Sequence, residues 1–397
     1  MYQELALLAL FIFIYSLVAG RVERSVISGP MVFVVVGFLV GPSVLGWLNT
    51  DASNDDLRML ADLTLALILF IDAAHANLSV LERQIRIPSR MLLIGLPGVI
   101  ALGFVFAAWL FDELTLYAAA ILATMLAATD AALGKAVISN KSVPARIREG
   151  LNVESGLNDG ICVPIVLFFV ALAVSDGHSD GSTSALALVT REIGIGMAVG
   201  LGLALAGAFL LRWCWKRGWV TEVWTQLTVV GLAIASFAIA QSLHGSGYIA
   251  AFTGGLLFGY LAGDATHKLI LAAEGMGETL ALLTWLLFGA VIGPVFRLFS
   301  WNVVVYALLS LTVIRMLPIF LSLAGTGESN ANKLFLGWFG PRGLASIVFA
   351  IIVINAEVPG AEYLATVVIC TVVLSLVAHG VTANPLAKWI GRKDGPL

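Results

Sequence analysis

The sequence predicts an all-α polytopic membrane protein, and three observations predict it. Of 397 residues, 59% are hydrophobic and only 12% charged, whereas a soluble domain carries about twice that charge. Mean hydropathy is +0.97, and so few polar side chains would not cover the surface of a soluble fold of this length. The apolar residues also gather into runs close to the roughly 20 residues that cross a bilayer as a helix. The same figures exclude disorder, collagen, coiled coil and a disulfide scaffold. A net charge of −3 suggests no nucleic-acid partner.

Thirteen such runs are expected near 4–20, 30–48, 57–78, 90–111, 115–139, 150–174, 186–211, 222–242, 247–262, 275–295, 302–324, 333–354 and 361–386. Short polar or glycine-rich stretches separate them, such as 49–56 and 175–184. None is long enough for a domain of its own, so 1–397 reads as one membrane domain with no soluble tail after Leu397. The first run lacks a basic leader and a small-residue cleavage site, so it is expected as a retained span rather than a signal peptide. Cys162, Cys214 and Cys370 sit in or beside apolar runs, are odd in number and lack zinc spacing; they read as reduced packing residues.

Orientation follows from Lys and Arg. Alternate connections hold Arg21, Arg24, Arg83, Arg86, Arg90, Lys141, Arg146, Arg148, Arg212, Lys216, Arg217, Lys268, Lys333, Lys388, Arg392 and Lys393, sixteen in all. The opposite side holds Arg58, Arg191 and Arg297 beside the acidic Asp51, Asp55 and Asp56. The basic side is read as cytoplasmic, which puts the N-terminus outside and the C-terminus inside the cell membrane.

Lys135, Arg315 and Arg342 fall inside predicted spans, as do several acids. An ionisable group in the bilayer costs from about 2.5 kcal/mol upwards and is placed facing a bundle interior or a cavity. Lys135, Asp62 and Glu274 lie near span ends and read as interfacial. Asp130 and Asp159 differ. Each lies ten residues from the cytoplasmic end of its span, with span five ending near Asn140 and span six starting near Glu149. At 1.5 Å per residue that is roughly 15 Å deep, the bilayer midplane. Consecutive helices with a short connection are expected as neighbours, so the two carboxylates are expected to meet.

Around them the motif is oxygen-rich. Thr129 and Asp130 interrupt an apolar helix, and Glu154, Ser155, Asn158 and Asp159 share adjacent faces of the next one. Carboxylate, hydroxyl and amide oxygens are hard ligands suited to Na⁺, Li⁺ or a proton. Glu154 needs a partner, and Arg315 in span eleven sits at a similar depth; a buried structural ion pair is expected.

An inverted repeat is also expected. Spans one to six (about 1–175) and eight to thirteen (about 222–390) form the two units, with 186–211 as a linker helix. The fifth span of each should then be broken: span five at Thr129-Asp130, and span twelve at Gly340-Pro341-Arg342-Gly343. Crossed broken helices bring freed backbone groups to the site, and Arg342 is expected to compensate their partial charge.

On these residues the chain resembles the cation:proton antiporters, specifically the NhaP-like sodium/proton exchangers. Thr129-Asp130 and Glu154-Ser155-Gly156-Leu157-Asn158-Asp159 are similar to that group's fifth- and sixth-helix motifs, Arg315 to the arginine that pairs with the glutamate, and residues 340–343 to its glycine-flanked arginine. Two departures are Ala131, where the group usually has Pro, and Lys135. The resemblance implies exchange of a monovalent cation for H⁺, with an Asn-Asp pair implying one-for-one, electroneutral stoichiometry. It also implies a homodimer and no cofactor, and marks Asp72 as a secondary acid near the cytoplasmic funnel.

The mechanism expected is competition for one carboxylate. In a dry setting an acid is more stable neutral, while a bound cation stabilises its ionised form. Asp159 is assigned as the shared cation/proton carrier, with Asp130, Ser155 and the Thr129 backbone as further ligands and Asn158 orienting the site. K⁺ is the alternative cation. A channel or a non-transport membrane sensor is the rival class, but no filter-like polar run favours the first and two midplane acids disfavour the second. The five histidines are scattered and read as interfacial or packed.

Overall fold

The computed structural model describes residues 2–22, 25, 27–48, 55–75, 86–130, 133–138, 140, 142–175, 181–295 and 299–394. Arg24, Arg83, Lys141, Arg297, Asp51, His178 and Ala131 lie outside the described residues, as do the side chains of Asp55, Asp56, Lys135 and His267. Among the described residues every regular element is helical. That is what an apolar solvent demands, because a helix satisfies its own backbone groups within one segment.

The helices are α1 (Tyr2–Val22), α2 (Gly29–Val40), α3 (Asp55–His75), α4 (Arg86–Leu110), α5 (Leu116–Met125), α6 (Lys135–Ile138), α7 (Ala145–Ser175), α8 (Gly181–Lys216), α9 (Glu222–Ser242), α10 (Gly247–Ala262), α11 (Thr266–Val295), α12 (Trp301–Ser322), α13 (Asn330–Trp338), α14 (Leu344–Asn355) and α15 (Ala361–Asp394). Each expected run contains one of them, or two where a break was expected. Six are long and apolar enough to cross a membrane by length and composition: α4, α7, α12, α15, Leu186–Lys216 of α8 and Lys268–Gly293 of α11. Their outward faces carry Leu93, Trp109, Leu205, Phe209 and Leu321, each more than half exposed, as a lipid-facing surface requires.

Three boundaries depart from expectation. α2 stops at Val40 rather than near 48, because Gly41 turns to an extended conformation (ψ 176°) and Pro42 has no N–H to continue the ladder. Residues 41–48 then fold back, with Trp47 and Leu48 both donating to the Val40 carbonyl at 3.0 and 2.9 Å. α11 begins nine residues early, at Thr266, so Glu274 lies within a helix rather than just before one. α12 bends at Thr312 (φ −112°, ψ −95°) before running on through Pro318.

Packing divides the helices into two groups. α2, α3, α8, α9, α10 and α11 pack on one another, and α4, α5, α7, α12, α13, α14 and α15 do likewise. The first group approaches backbone to backbone: a Cβ on Gly41 in the α2 turn would lie 2.8 Å from Ala290 Cα of α11, and Gly37 and Gly289 leave no room for one at all. α7 and α3 join the groups, with Gly156 of α7 facing Asp72 of α3 so closely that an added Cβ would sit 3.3 Å from Asp72 Cβ.

The two broken helices meet in the second group. α5 ends at Met125, and the described residues 126–130 and 133–134 are not helical; α13 ends at Trp338 and α14 starts at Leu344. One backbone bond and one side-chain bond join the two breaks. Asp130 N–H donates to Pro341 O at 2.8 Å, and Ser346 Oγ of α14 donates to Met125 O at 2.7 Å.

Candidate cation site

The site grows from the first break. α5 is apolar up to Met125, where Thr124 bonds back to Ala120 O at 2.8 Å, a side-chain bond that competes with the helical ladder. Beyond it the Asp130 carboxylate replaces missing helical partners. Oδ1 accepts Leu133 N–H at 3.2 Å, and Oδ2 accepts the amide of Leu344, the first residue of α14, at 3.0 Å. One carboxylate thus caps both broken segments. Gly343 is required here by space, since any Cβ would collide with the Asp130 carboxylate.

α7 supplies the other residues. Arg315 reaches Glu154 with both terminal nitrogens, Nη1 to Oε1 at 2.7 Å and Nη2 to Oε2 at 2.9 Å, and each side chain is only 1% exposed. This is the bidentate geometry in which a buried ion pair is best satisfied. One turn on, Asn158 Nδ2 donates to Glu154 Oε1 at 3.2 Å and to Thr129 Oγ1 at 2.5 Å, while its Oδ1 accepts Thr129 N–H at 3.4 Å. Ser155 Oγ donates to Thr129 O at 2.6 Å. Thr129 is therefore tied to α7 through its amide, hydroxyl and carbonyl alike.

Asp159, the residue after Asn158 on α7, also accepts a hydrogen bond from the Thr129 backbone. It is buried, and its Oδ1 has no hydrogen-bond partner among the described residues. Asp130, Asp72 and Glu154 lie within electrostatic reach of it. A narrow cavity of about 10 Å³, room for one water-sized sphere, opens beside Thr129, Asp130, Ser155, Phe339 and Pro341; Asp159 does not line it. Asp72 is partly exposed on α3, one turn from His75, whose Nε2 lies 2.9 Å from Glu274 Oε1.

Arg342 is wholly buried, and its guanidinium lies across the crossing. Nη1 donates to Ala128 O in the first break at 3.1 Å and Nη2 to Ser310 O of α12 at 3.3 Å. A fixed cation thus lies against one carbonyl of the first break and one beside the bend of α12.

All nine expected residues except Asp72 therefore lie on or beside the two breaks; Asp72 adjoins α7 from α3. Sequence reasoning missed Ser346 on the α14 side, and Ser375 and His379 behind the second break. Hydroxyl and imidazole groups at helical spacing in an apolar run were the available signal. About two turns into α3, Asp62 accepts Tyr248 O–H at 2.5 Å.

The transmembrane sodium/hydrogen exchanger profile matches residues 7–389. The chain belongs to the sodium/hydrogen exchanger family. The family is one of transporters rather than enzymes, and the chain is an integral membrane protein. Its relatives include a K⁺/H⁺ antiporter, NhaP2, of Shewanella sp. strain MR-4, 25% identical over 388 residues that cover 96% of this chain and 66% of the relative. Another is a Na⁺/H⁺ antiporter of Schizosaccharomyces pombe, 25% identical over 324 residues covering 73% of this chain and 68% of that one. The chain thus spans just under two thirds of the length of the Shewanella relative. The fold matches the sodium proton antiporter MjNhaP1 of Methanocaldococcus jannaschii with a TM-score of 0.79 at 21% identity, covering 96% of this chain and 99% of that one.

Proposed function

We propose that the protein is a secondary active transporter that exchanges a monovalent cation, Na⁺ or Li⁺, for H⁺ by alternating access. The observation that carries the reading is the buried Asp159 carboxylate with an unpartnered oxygen, set beside Asp130 where two broken helices meet. A proton or a cation satisfies that oxygen, and the two exclude each other. Only the loaded states cross the barrier between inward- and outward-facing forms, which makes the process exchange rather than leak.

In this reading Asp159 is the shared carrier. Asp130, Ser155 and Thr129 complete the cation's oxygen shell, Asn158 orients it, and Asp72 is an acid on the approach. Glu154 and Arg315 form a structural pair, and Arg342 balances the carbonyls of the crossing. One cation moves per proton. The chain crosses the plasma membrane thirteen times, N-terminus outside and C-terminus in the cytoplasm, as inverted repeats of about 1–175 and 222–390 with 186–211 between them, and works as a homodimer. Family membership and the fold support the exchanger reading. The names of the relatives, K⁺/H⁺ for one and Na⁺/H⁺ for another, favour K⁺ as the second reading.

Proton flux in sealed proteoliposomes tests it, with Na⁺, Li⁺ and K⁺ added in turn. Cation-triggered proton movement is expected, and the active ion is the substrate. No movement with any cation, from folded protein, overturns the proposal.

A further inference from the structure

α15 runs behind the second break, and its apolar sequence is interrupted by Ser375, His379 and Thr382, four and three residues apart and hence on one face. All three meet the break. Trp338 Nε1 donates to Thr382 Oγ1 at 2.9 Å. The carbonyl of Trp338, the last residue of α13, lies 2.8 Å from His379 Nε2. A carbonyl only accepts, so the neutral ring's single proton is assigned to Nε2, which leaves Nδ1 an acceptor and its approach to Ser375 O a contact without a hydrogen bond; the Trp338 oxygen also takes Gly340 N–H at 2.8 Å. On the other side of the ring, Nδ1 lies 3.1 Å from Ser375 Oγ and 2.9 Å from Ser375 O, and Ser375 Oγ accepts the backbone N–H of Arg342 at 2.7 Å. The imidazole is buried and tilted against the Trp338 ring, 5.1 Å between centroids.

With the ring neutral, these contacts form one directed chain. Arg342 N–H donates to Ser375 Oγ, Ser375 O–H to His379 Nδ1, and His379 Nε2–H to Trp338 O. The chain begins and ends on the two residues that bracket Phe339–Pro341, where helical partners are missing. Inside the bracket is Pro341, whose carbonyl accepts Asp130 N–H, and just beyond it Leu344, whose amide meets Asp130 Oδ2. A leucine at 379 would fill similar space but would cut the link between Ser375 and the Trp338 carbonyl, leaving each end of the break held separately.

We propose that His379, acting through Ser375, is a positioning residue of the transport site: it fixes the second break so that Pro341 O and Leu344 N–H are presented to Asp130. The transport part of this inference rests on the exchange reading above.

The test compares His379→Leu, His379→Gln and Ser375→Ala with wild type in proteoliposomes. His379→Leu and Ser375→Ala are expected to raise the half-saturating concentration of the transported cation roughly fivefold, the size of one net buried hydrogen bond, with the maximal rate little changed. Glutamine, which can still donate to Trp338 O, should restore a near-wild-type value. Amide hydrogen exchange at Gly340 and residues 342–345 should quicken in the first two variants and not in the third. The proposal is overturned if leucine and glutamine behave alike, if half-saturation is unmoved while only thermal stability falls, or if exchange at those amides is unchanged. Should His379→Leu fail to fold, Ser375→Ala carries both readouts. Should wild type transport no cation, the exchange reading falls, and amide exchange alone decides the positioning role.

Discussion

A buried carboxylate oxygen without a donor is a state that proteins rarely leave in place, since burial without a partner costs free energy. In the proposed exchange reading, the partner missing at Asp159 is the transported proton or cation. Asp159→Asn keeps the shape and removes both proton and cation binding; cation-driven proton flux should vanish while the purified variant keeps its elution position and melting temperature within a few degrees. Full flux in that variant would remove Asp159 from the mechanism. Glu154 and Arg315 call for the opposite outcome. Removing one member of a buried pair strands the other's charge, at about 3–5 kcal/mol. Glu154→Gln should therefore lower the melting temperature markedly, and a paired Glu154→Gln, Arg315→Met variant should lose less than the sum of the two single changes. Additive losses would show that the two residues act independently.

Among the elements, the breaks decide what happens. Gly343 has no spare volume against the Asp130 carboxylate, so Gly343→Ala must displace either the start of α14 or Asp130 itself. Exchange should fall at least tenfold, about 1.4 kcal/mol of displaced geometry, with helical content unchanged by circular dichroism; unaffected transport would mean that Asp130 is free to move. Both breaks were legible beforehand, because Thr-Asp and Gly-Pro-Arg-Gly contradict the apolar runs around them. What was not legible is how the breaks touch. The bond from Asp130 N to Pro341 O joins backbones more than two hundred residues apart, and no side-chain pattern announces a backbone partner. The early stop of α2 was readable in Gly41-Pro42 but was overridden by the apolar run that continues to Leu48. Glu274 was misplaced for the converse reason: polar residues of 263–274 hid a helix that begins at Thr266.

For the whole molecule, the proposed exchange reading makes the pairing of one acid with either a proton or a cation govern the pH response. Protons compete with the cation for Asp159, so the half-saturating cation concentration should fall as pH rises and level off once competition ends; a pH-independent value would exclude a shared carrier. One-for-one exchange moves no net charge, and a potassium/valinomycin clamp should leave the rate unchanged, although membrane potential acts on each uncompensated charge with about 2.3 kcal/mol per 100 mV. A rate that follows the clamp would set the stoichiometry away from one to one. The division into two packed groups was not readable from thirteen similar apolar runs, because it rests on glycine contacts between helices distant in sequence, such as α2 with α11.

Many of the acceptors that hold the crossing are main-chain oxygens. Ala128, Ser310, Met125, Trp338 and Pro341 each contribute a carbonyl, whereas Arg342, Ser346 and His379 contribute side chains. A carbonyl is the same in every amino acid. Random mutagenesis under selection for salt tolerance should therefore find positions 125, 128 and 310 open to drift among residues of fitting size, and 342, 346 and 379 closed. The half of the contact that matters most to the geometry would leave the fainter mark on the genetic record.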